Sequence, residues 1–590
     1  MRKQYPGREA GNSRASRHTR SAWGAAAQQP QVSPRNRTWL WVAIVLLAVG
    51  VPVCACVALP LLVRNYQAAN KPVVLQVAYS PEEEDLFTAL VRDFQATHPR
   101  LPDGHPIEIR ATKSDPDAMI DGALAGQYQA ITPDSSIWLT QLDIARQQQQ
   151  GGEITTLGQG ASMVGEVTRY AVSPVVVAMW EDTARSIGYP AKSMSWGDLL
   201  SKARSDPNFK WSHPSTSSAA GLLATLAEFY AGSGKTRGLT KDDATAKGTL
   251  DYVGALEKTV RYYGEGELAL IDQMAQQGPS YLDAVVAQEQ LVIRFNQQGK
   301  GKGKLVAIYP TEGSLWEDHP LALLEQPDLT ADQRLAFTAL SNYLLSPEAQ
   351  QRILRAGYRP VDLNIRLDSP DSPIKAANGV DPLQPKTVLQ IPGGGVLQVV
   401  RDVWWYTKRH TNVYLVADVS GSMDGQKLDD AKAALHTFLG QIRGDQERVG
   451  LISFASDINE VVPLGLLQDN RGAMEQGIDS LVADGNTSLV DAVDRAYTEL
   501  QTLNDRERIN AIVVMTDGKE NNSYLALDEL VAKIRAGNQQ GPPVVIFCIA
   551  YGKDADMGTL QAIAEVTNGQ ARRGDPETIR QLYKLLSAYF

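Results

Sequence analysis

Apolar runs alternate with amphipathic stretches along most of the chain. Val73–Tyr79 and Ile107–Thr112 have the residue types of β-strands, and Glu82–Thr97 between them carries apolar residues at helical spacing. The alternation continues to about Asp362, and short strands separated by helices are typical of α/β folds. The pattern therefore predicts a first α/β domain over residues 72–362.

Prolines and glycines interrupt this pattern over residues 363–409, which we interpret as a connecting segment that includes a helix or strand around Val396–Lys408. A second alternating block covers residues 410–590. Its predicted elements are Val413–Ala417, Lys427–Ile442, Val449–Phe454, Ile458–Pro463, Ser488–Leu503, Ile509–Met515, Pro543–Ala550 and Glu577–Tyr589. Several of these strands are continuous apolar runs, as expected when helices cover both faces of a sheet. The block therefore predicts a doubly wound, mostly parallel sheet, with Val449–Phe454 and Ile458–Pro463 forming a hairpin.

An uncharged apolar segment precedes both blocks. The 25 residues from Trp39 to Val63 carry no charge, and as a helix they would span roughly 37 Å, enough to cross a bilayer core of about 30 Å. We therefore predict a transmembrane helix over residues 38–63. Because positive flanks stay cytoplasmic, residues 1–37 would form a disordered basic cytoplasmic tail and the rest would lie outside. The alternative is a cleaved leader, after which Cys56 would become the first mature residue.

Composition and charge exclude several classes of protein. Of the 590 residues, 43% are apolar and 21% are charged, which excludes a wholly disordered, collagen-like or polytopic membrane protein. The net charge of -10 combines a basic tail, with eight Lys or Arg and only Glu9 as an acid, with a remainder of -17. An acidic body of this size disfavours nucleic-acid binding. Three cysteines, Cys54, Cys56 and Cys548, provide no disulfide framework.

Side-chain oxygens follow the predicted strands of the second block or precede its helices. The residues are Asp418, Ser420, Ser422, Thr487 and Asp517. Because ligands gather at the carboxyl ends of parallel strands, we expect these side chains to meet at one edge of the sheet. Two carboxylates and three hydroxyls suit a hard divalent cation, with Mg²⁺ favoured and Ca²⁺ or Mn²⁺ as alternatives. Helix capping alone would explain Thr487, but not two acids at neighbouring strand ends.

The pattern Asp418-x-Ser420-x-Ser422, followed by Thr487 and Asp517-Gly518, resembles the metal-ion-dependent adhesion site (MIDAS) of von Willebrand factor A domains. The resemblance covers about residues 410–590. It implies a metal that keeps one coordination position for an acidic side chain of a partner, and hence a binding module rather than an enzyme. Asn486 departs from the family pattern, in which a second glycine is common at this position.

The first domain is similar to periplasmic-type solute-binding proteins in its opening strand and Ser80-Pro81, in Tyr170–Met179, in His213–Ser218 and in Ser346–Gln350. This resemblance implies two α/β lobes with a ligand between them. The candidate contacts are Ser80, Ser135, Ser136, Ser173, Thr216, Ser217 and Tyr309. Hydroxyls and amides at helix N-termini favour an anion, although each residue could instead be an ordinary helix cap.

Together these features predict a single-pass protein of a bacterial cell membrane whose extracellular bulk captures a protein or acidic ligand through a metal-dependent adhesion site. The alternative is a solute-binding receptor for transport or sensing, in which the second domain docks a partner. The sequence contains no nucleophile elbow and no zinc-binding helix, so we expect no catalysis.

Overall fold

The computed structural model describes residues 71–149, 162–264, 266–299, 301–442, 444–575 and 578–587. The predicted tail, the predicted transmembrane helix and the alternative cleaved leader that would end before Cys56 lie outside the described residues. Within these ranges, no helix combines the length and apolar character needed to cross a bilayer. The chain from Pro72 onward forms one structural unit.

The first domain contains two sheets. Its strands are β1 (Val73–Tyr79), β2 (Ile107–Lys113), β3 (Ala130–Thr132), β4 (Val164–Arg169), β5 (Ala171–Trp180), β6 (Trp211–Pro214), β7 (Val260–Gly264), β8 (Ala284–Gln288), β9 (Leu305–Ile308), β10 (Trp316–Glu317), β11 (Pro320–Leu324) and β12 (Arg359–Pro360). The sheets are ordered β2-β1-β3-β11-β4 and β10-β5-β8-β6-β7, and β9 and β12 also pair with β5. The chain passes from the first sheet to the second between β4 and β5, returns between β10 and β11, and joins the second sheet again at β12. The predicted two-lobed α/β architecture is confirmed.

Helices pack against both sheets of this domain. They are α1 (Glu84–Ala96), α2 (Pro116–Leu124), α3 (Ile137–Gln149), α4 (Glu181–Ser186), α5 (Trp196–Ser205), α6 (Ala219–Ser233), α7 (Lys241–Thr245), α8 (Lys247–Glu257), α9 (Glu267–Gln277), α10 (Glu289–Gln298), α11 (Ala331–Leu344) and α12 (Pro347–Arg355). Local chemistry sets their starts: the Ser218 hydroxyl accepts a 3.1 Å hydrogen bond from the Gly221 amide and so caps α6.

The connecting segment contains a helix, α13 (Gly394–Thr407), where the sequence predicts a helix or strand. Its buried face includes Leu397, Val400 and Trp404, and it packs against α6, α7 and α8 of the first domain. The indole nitrogen of Trp404 donates to Glu257 Oε1 at 2.6 Å. The second domain therefore follows a helix that is itself part of the first domain's core.

The second domain is built on one six-stranded sheet. Its strands are β13 (Thr411–Asp418), β14 (Arg448–Phe454), β15 (Ile458–Leu466), β16 (Ile509–Thr516), β17 (Val544–Tyr551) and β18 (Ala571–Gly574). Their order is β15-β14-β13-β16-β17-β18, and β15 alone is antiparallel to its neighbour in this described sheet. The predicted hairpin and the mostly parallel sheet are therefore confirmed.

Helices cover both faces of this sheet. They are α14 (Gln426–Gln441), α15 (Leu467–Asp479), α16 (Leu489–Leu503), α17 (Leu527–Gln540), α18 (Met557–Glu565) and α19 (Ile579–Ser587). Successive residues of β13 point to opposite layers, as the strand period requires. Val413 and Leu415 pack in the hydrophobic cluster that contains α14, whereas Tyr414 and Val416 pack in the cluster that contains α16. This two-sided burial explains the uninterrupted apolar runs.

Candidate functional site

Two aspartates lie at the same edge of the second sheet. Strands β13 and β16 are parallel neighbours in which Ala417 pairs with Met515, so Asp418 and Asp517 follow at adjacent strand ends. Both are buried, with 0% and 1% of their surface exposed. Asp418 Oδ1 accepts a 2.7 Å hydrogen bond from the Ser420 amide, and its Oδ2 accepts one from the Thr516 hydroxyl. The parallel register thus brings the two predicted acids together.

Three hydroxyls complete this group. Ser422 Oγ donates to Asp517 Oδ1 at 2.6 Å and lies 3.1 Å from Ser420 Oγ. A Cβ atom on Gly518 would lie 3.0 Å from Thr487 Oγ1 and 3.6 Å from Ser422 Oγ. A side chain there would crowd these oxygens, so glycine allows their close approach. The structure therefore brings all five predicted side chains to one edge of the sheet.

Neighbouring loops hold Thr487 in place. The Thr487 amide donates to Asn521 Oδ1 at 2.9 Å, and the Asn521 backbone amide donates to the Thr487 carbonyl at 3.1 Å. The Gly421 amide donates to the Gly485 carbonyl at 3.0 Å, and Gly485 has a φ of +79°, which favours glycine. At the departure from the family pattern, the Asn486 amide donates to a serine hydroxyl at 2.9 Å, and its side-chain amide donates to Asn522 Oδ1 at 3.4 Å. Sequence reasoning missed Asn521, whose only signal is its position three residues after Gly518.

The chemistry of this group fits a hard divalent cation. It contains carboxylate and hydroxyl oxygens without thiols or imidazoles, the donor set that Mg²⁺ and Ca²⁺ prefer. Burial raises the pKa of Asp418, hydrogen bonds from Thr516 and Ser420 oppose that shift, and the charge of Asp517 adds to it. The Lys427 ammonium pairs with Asp517 Oδ2. One basic side chain, which sequence reasoning missed, thus already supplies positive charge beside the two carboxyls.

Four of the predicted solute contacts make hydrogen bonds to neighbouring groups of the first domain. Ser80 Oγ accepts from the Asp134 amide at 3.2 Å, and Ser135 Oγ accepts from the amide at the start of α3 at 3.3 Å. The Ser136 amide donates to a carboxylate of the β10–β11 crossing at 2.7 Å. Ser173 Oγ accepts from the Gln290 amide at 3.1 Å. These hydrogen bonds hold local loops and helix starts, and none of the four serines is a wall residue of the interlobe cavity.

The other three predicted solute contacts lie in two different parts of the first domain. Thr216 and Ser217 line a cavity of about 580 Å³ between the lobes. Tyr309 is elsewhere: its hydroxyl donates to Glu289, and the Glu289 carboxylate accepts from Arg359 at 2.7 and 2.9 Å. The structure does not bring Tyr309 to the cavity wall.

The cavity has walls from both domains. Glu82 and Asp134 come from the first lobe, and residues 215–218 from the second. Trp404 and Trp405 of α13 and a few residues of the second domain also line it; these last are Gln441, Arg572 and Ser587. Sequence reasoning assigned the cleft to the first domain alone.

A buried polar cluster lies between the second lobe and α13. His213, Glu228 and Glu257 offer ligand atoms within 4.8 Å of one another. The Glu257 carboxylate also accepts from Tyr263 at 2.7 Å and from Trp404 at 2.6 Å. Burial raises the pKa of Glu228 well above its ordinary value, and the charge of Glu257 raises it further. The cluster therefore joins the second lobe to α13 through the Glu257 carboxylate.

Family models match both domains. Residues 412–583 match the von Willebrand factor type A domain, and residues 75–359 match a family described as bacterial extracellular solute-binding protein. The chain therefore contains a von Willebrand factor type A domain and a solute-binding-like domain, as the sequence motifs predict.

Curated relatives match either a short part or most of this chain. The human inter-alpha-trypsin inhibitor heavy chain H6 is 28% identical over 172 residues, 28% of this chain, and a Bos taurus heavy chain H1 is 27% identical over 177 residues, also 28% of this chain. These matches span only 13% and 19% of those proteins' own lengths. An uncharacterized Mycobacterium tuberculosis protein is 22% identical over 495 residues, 78% of this chain and 68% of its own length.

Two solved structures are among those that match parts of this chain. The sulfate-binding protein SubI from Mycobacterium tuberculosis is 20% identical, with a TM-score of 0.34, covering 50% of this chain and 88% of its own. A von Willebrand factor type A protein from Catenulispora acidiphila is 22% identical, with a TM-score of 0.27, covering 31% of this chain and 43% of its own.

Proposed function

We propose that this chain, a von Willebrand factor type A domain joined to a solute-binding-like domain, captures a protein or other acidic ligand through a divalent cation. The observation that carries the proposal is the meeting of five side chains at one sheet edge. The residues that would hold the cation are Asp418, Ser420, Ser422, Thr487 and Asp517. When bound, the cation supplies a coordination position that a carboxylate oxygen of a partner can fill.

The burial of these residues supports capture from solvent. Asp418 and Asp517 are buried, whereas Gly421 and Ser422 in front of them are exposed. The carboxylates therefore form the inner side of the group and the Ser422 loop its outer rim. A ligand can approach that rim without entering the core.

The proposal also includes location and mode of action. We place the chain at a bacterial cell membrane, anchored by residues 38–63 with the two domains outside, because this run is long, uncharged and preceded by a basic tail. We assign it binding and no catalysis. Mg²⁺ is the favoured cation, with Ca²⁺ and Mn²⁺ as alternatives.

Capture of acidic groups is expected to depend on the cation. The purified full-length chain, immobilised in MgCl₂, should retain peptides that contain Asp or Glu and release at least about 90% of them in EDTA. The physical reason is that a carboxylate is a strong oxygen ligand for Mg²⁺, whereas a side-chain amide is a weaker one. Retention is measured by mass spectrometry of the eluted peptides.

The matched control is the same peptide set with Asn and Gln in place of Asp and Glu. Equal retention of both sets, or retention unchanged by EDTA, would show that capture does not use metal coordination.

Lys427 is expected to compete with the cation for Asp517. Replacing it by methionine keeps most of the side-chain volume and removes the charge, so Mg²⁺ affinity should rise by up to about fivefold, as expected for a half-exposed ion pair. Isothermal titration calorimetry with MgCl₂ measures this change. Lys432→Met on the same helix is the control, because its amine donates to the Asp479 carbonyl, 2.9 Å away. A fall in affinity in the Lys427 variant would instead identify a lysine that holds Asp517 in place for the metal.

A second candidate function is reception of a small solute for transport or sensing. The 580 Å³ cavity between the lobes favours it, since this volume lies within the range of small-molecule sites. In this function the second domain would dock a partner that responds to the solute.

A further inference from the structure

The three ligand-bearing side chains of the buried cluster beside α13 come from separate elements. His213 lies on β6, Glu228 on α6 and Glu257 at the end of α8. All three are 0% exposed, and their ligand atoms lie within 4.8 Å of one another. Because solvent does not reach these atoms, they depend on partners inside the protein.

A hydrogen bond fixes the tautomer of His213. Its Nδ1 lies 2.7 Å from the carbonyl oxygen of Pro214. A carbonyl can only accept, so Nδ1 carries the proton and the neutral ring has its lone pair at Nε2. Histidines that bind metals almost always donate their other ring N–H in this way. Nε2 is 3.3 Å from Glu257 Oε2, so two acceptors face each other and a cation or a further proton belongs between them.

Glu228 is the member of the cluster without a hydrogen-bond donor. It is fully buried, and neither of its carboxyl oxygens has a hydrogen-bond partner among the described residues. A second proton on His213 would satisfy the contact between Nε2 and Glu257 but would leave Glu228 without a donor. One divalent cation would satisfy all three side chains, and its charge would balance the two carboxylates.

The distance and the donor types indicate which cation fits. Two ligands about 2.0–2.1 Å from a tetrahedral zinc ion lie roughly 3.3–3.4 Å apart. The separation of 3.3 Å between Nε2 and Oε2 agrees with that geometry. An imidazole nitrogen beside carboxylates suits Zn²⁺, whereas Mg²⁺ and Ca²⁺ prefer oxygen ligands alone. The cluster therefore differs in its metal preference from the group at the sheet edge.

The neighbours of Glu257 hold its carboxylate in a fixed orientation. Oε2 accepts from the Tyr263 hydroxyl at 2.7 Å, and Oε1 accepts from the Trp404 indole at 2.6 Å. Hydrogen bonds of this kind orient the carboxylate ligands of metal sites. Trp404 belongs to α13, which leads into the second domain. An ion in the cluster would therefore join β6, α6 and α8 to that helix.

We propose that His213, Glu228 and Glu257 bind one zinc ion as a closed structural site. The inference goes beyond the proposed function, since it uses neither the sheet-edge group nor the interlobe cavity. Because no ligand is exposed, the ion stabilises the fold and is taken up as the chain folds. No local motif marks the site, because its ligands lie on three separate elements.

The test measures the zinc content of the full-length chain. The chain is expressed in medium with zinc and dialysed against excess MgCl₂, which occupies the sheet-edge group. Inductively coupled plasma mass spectrometry should find about one zinc ion per chain. Glu228→Gln keeps the shape of the side chain but removes an anionic ligand, so its zinc content should fall below about 0.2 per chain. Glu348→Gln, an exposed glutamate on α12, is the matched control and should keep its zinc.

Melting temperatures separate a bound ion from a protonated carboxyl. The parent expressed with zinc should melt about 3 °C or more above the parent expressed without it, and Glu228→Gln should melt equally in both cases. Glutamine is also the neutral mimic of a protonated glutamate, so the variant should fold. If Glu228 were simply protonated, the variant would melt like the parent under both conditions.

Three results would overturn the zinc site. A parent chain without zinc and without a zinc-dependent melting temperature would identify Glu228 as a protonated carboxyl. Equal zinc in the Glu228 and Glu348 variants would place the ion elsewhere. Zinc that is lost in Asp418→Ala but kept in Glu228→Gln would belong to the sheet edge. None of these results affects the Mg²⁺-dependent capture of acidic peptides, which is measured separately.

Discussion

Replacing Asp418 by alanine is expected to lower the Mg²⁺ affinity of the chain by at least about 100-fold. Loss of an outer-shell group alone costs about 10–100-fold, and the proposed function makes Asp418 a direct ligand of the cation. Its carboxylate is fully buried and is held by the Ser420 amide and the Thr516 hydroxyl, so no flexible neighbour can substitute for it. Isothermal titration of the full-length chain with MgCl₂ measures the change.

Two further variants sharpen this result. Asp418→Asn keeps an oxygen and the shape of the side chain while removing the charge, so its affinity should fall between those of the parent and the alanine variant. Asp429→Ala removes an exposed aspartate from α14 and should bind Mg²⁺ like the parent. Mg²⁺ binding of equal strength in Asp418→Ala and the parent would remove the metal claim, and with it the proposed capture of acidic ligands.

Replacing Glu447 by glutamine is expected to lower the free energy of unfolding by about 3–5 kcal/mol. Lys408, at the end of α13, and Glu447, in the second domain, are both 0% exposed, and their Nζ and Oε1 atoms are 2.9 Å apart. The Thr411 amide donates to Glu447 Oε2 at 2.5 Å. The glutamine would leave a buried ammonium without its counter-charge. Denaturant unfolding measures the loss, and Glu475→Gln at an exposed position should change it by less than about 0.5 kcal/mol.

The same pair gives a pH dependence. Burial alone would raise the pKa of Glu447, but Lys408, His410 and Thr411 outweigh it and lower the pKa from 4.5 to about 2. A carboxyl with a lowered pKa stabilises the fold fully above its ordinary value and loses that contribution as the pH falls through its folded value. The parent should therefore lose this stabilisation between about pH 5 and pH 2, and Glu447→Gln should not. Identical acid profiles for both would show that the pair does not contribute.

The strands and helices of the second domain can be predicted from the sequence because each has its own local pattern of apolar residues. Continuous apolar runs mark strands buried on both faces, and the parallel register then brings the residues after β13 and β16 to the same edge. Asp418 and Asp517 lie 99 residues apart, yet each directly follows or ends a recognisable strand. Strand ends thus predict which residues meet, without any knowledge of the loops between them.

Contacts between residues far apart in the chain cannot be predicted from such local patterns. Glu83 Oε1 and His319 Nδ1 lie 2.6 Å apart only because the chain returns to the first lobe between β10 and β11. Lys427 is the second residue of α14, where a lysine usually indicates a solvated face, and it reaches Asp517 through its long side chain. The periodicity of the sequence predicts the helices and strands. It does not predict which distant residues their side chains contact.

The shared walls of the interlobe cavity have a thermodynamic consequence. A molecule held there would touch both lobes, α13 and the second domain, so its affinity would depend on how these parts are arranged. Lobe opening and the position of the second domain would then belong to one equilibrium, which any ligand favouring one arrangement would bias. A partner that binds the sheet edge more tightly in one arrangement would change the affinity for the solute. By reciprocity, the solute would change the affinity for that partner by the same factor.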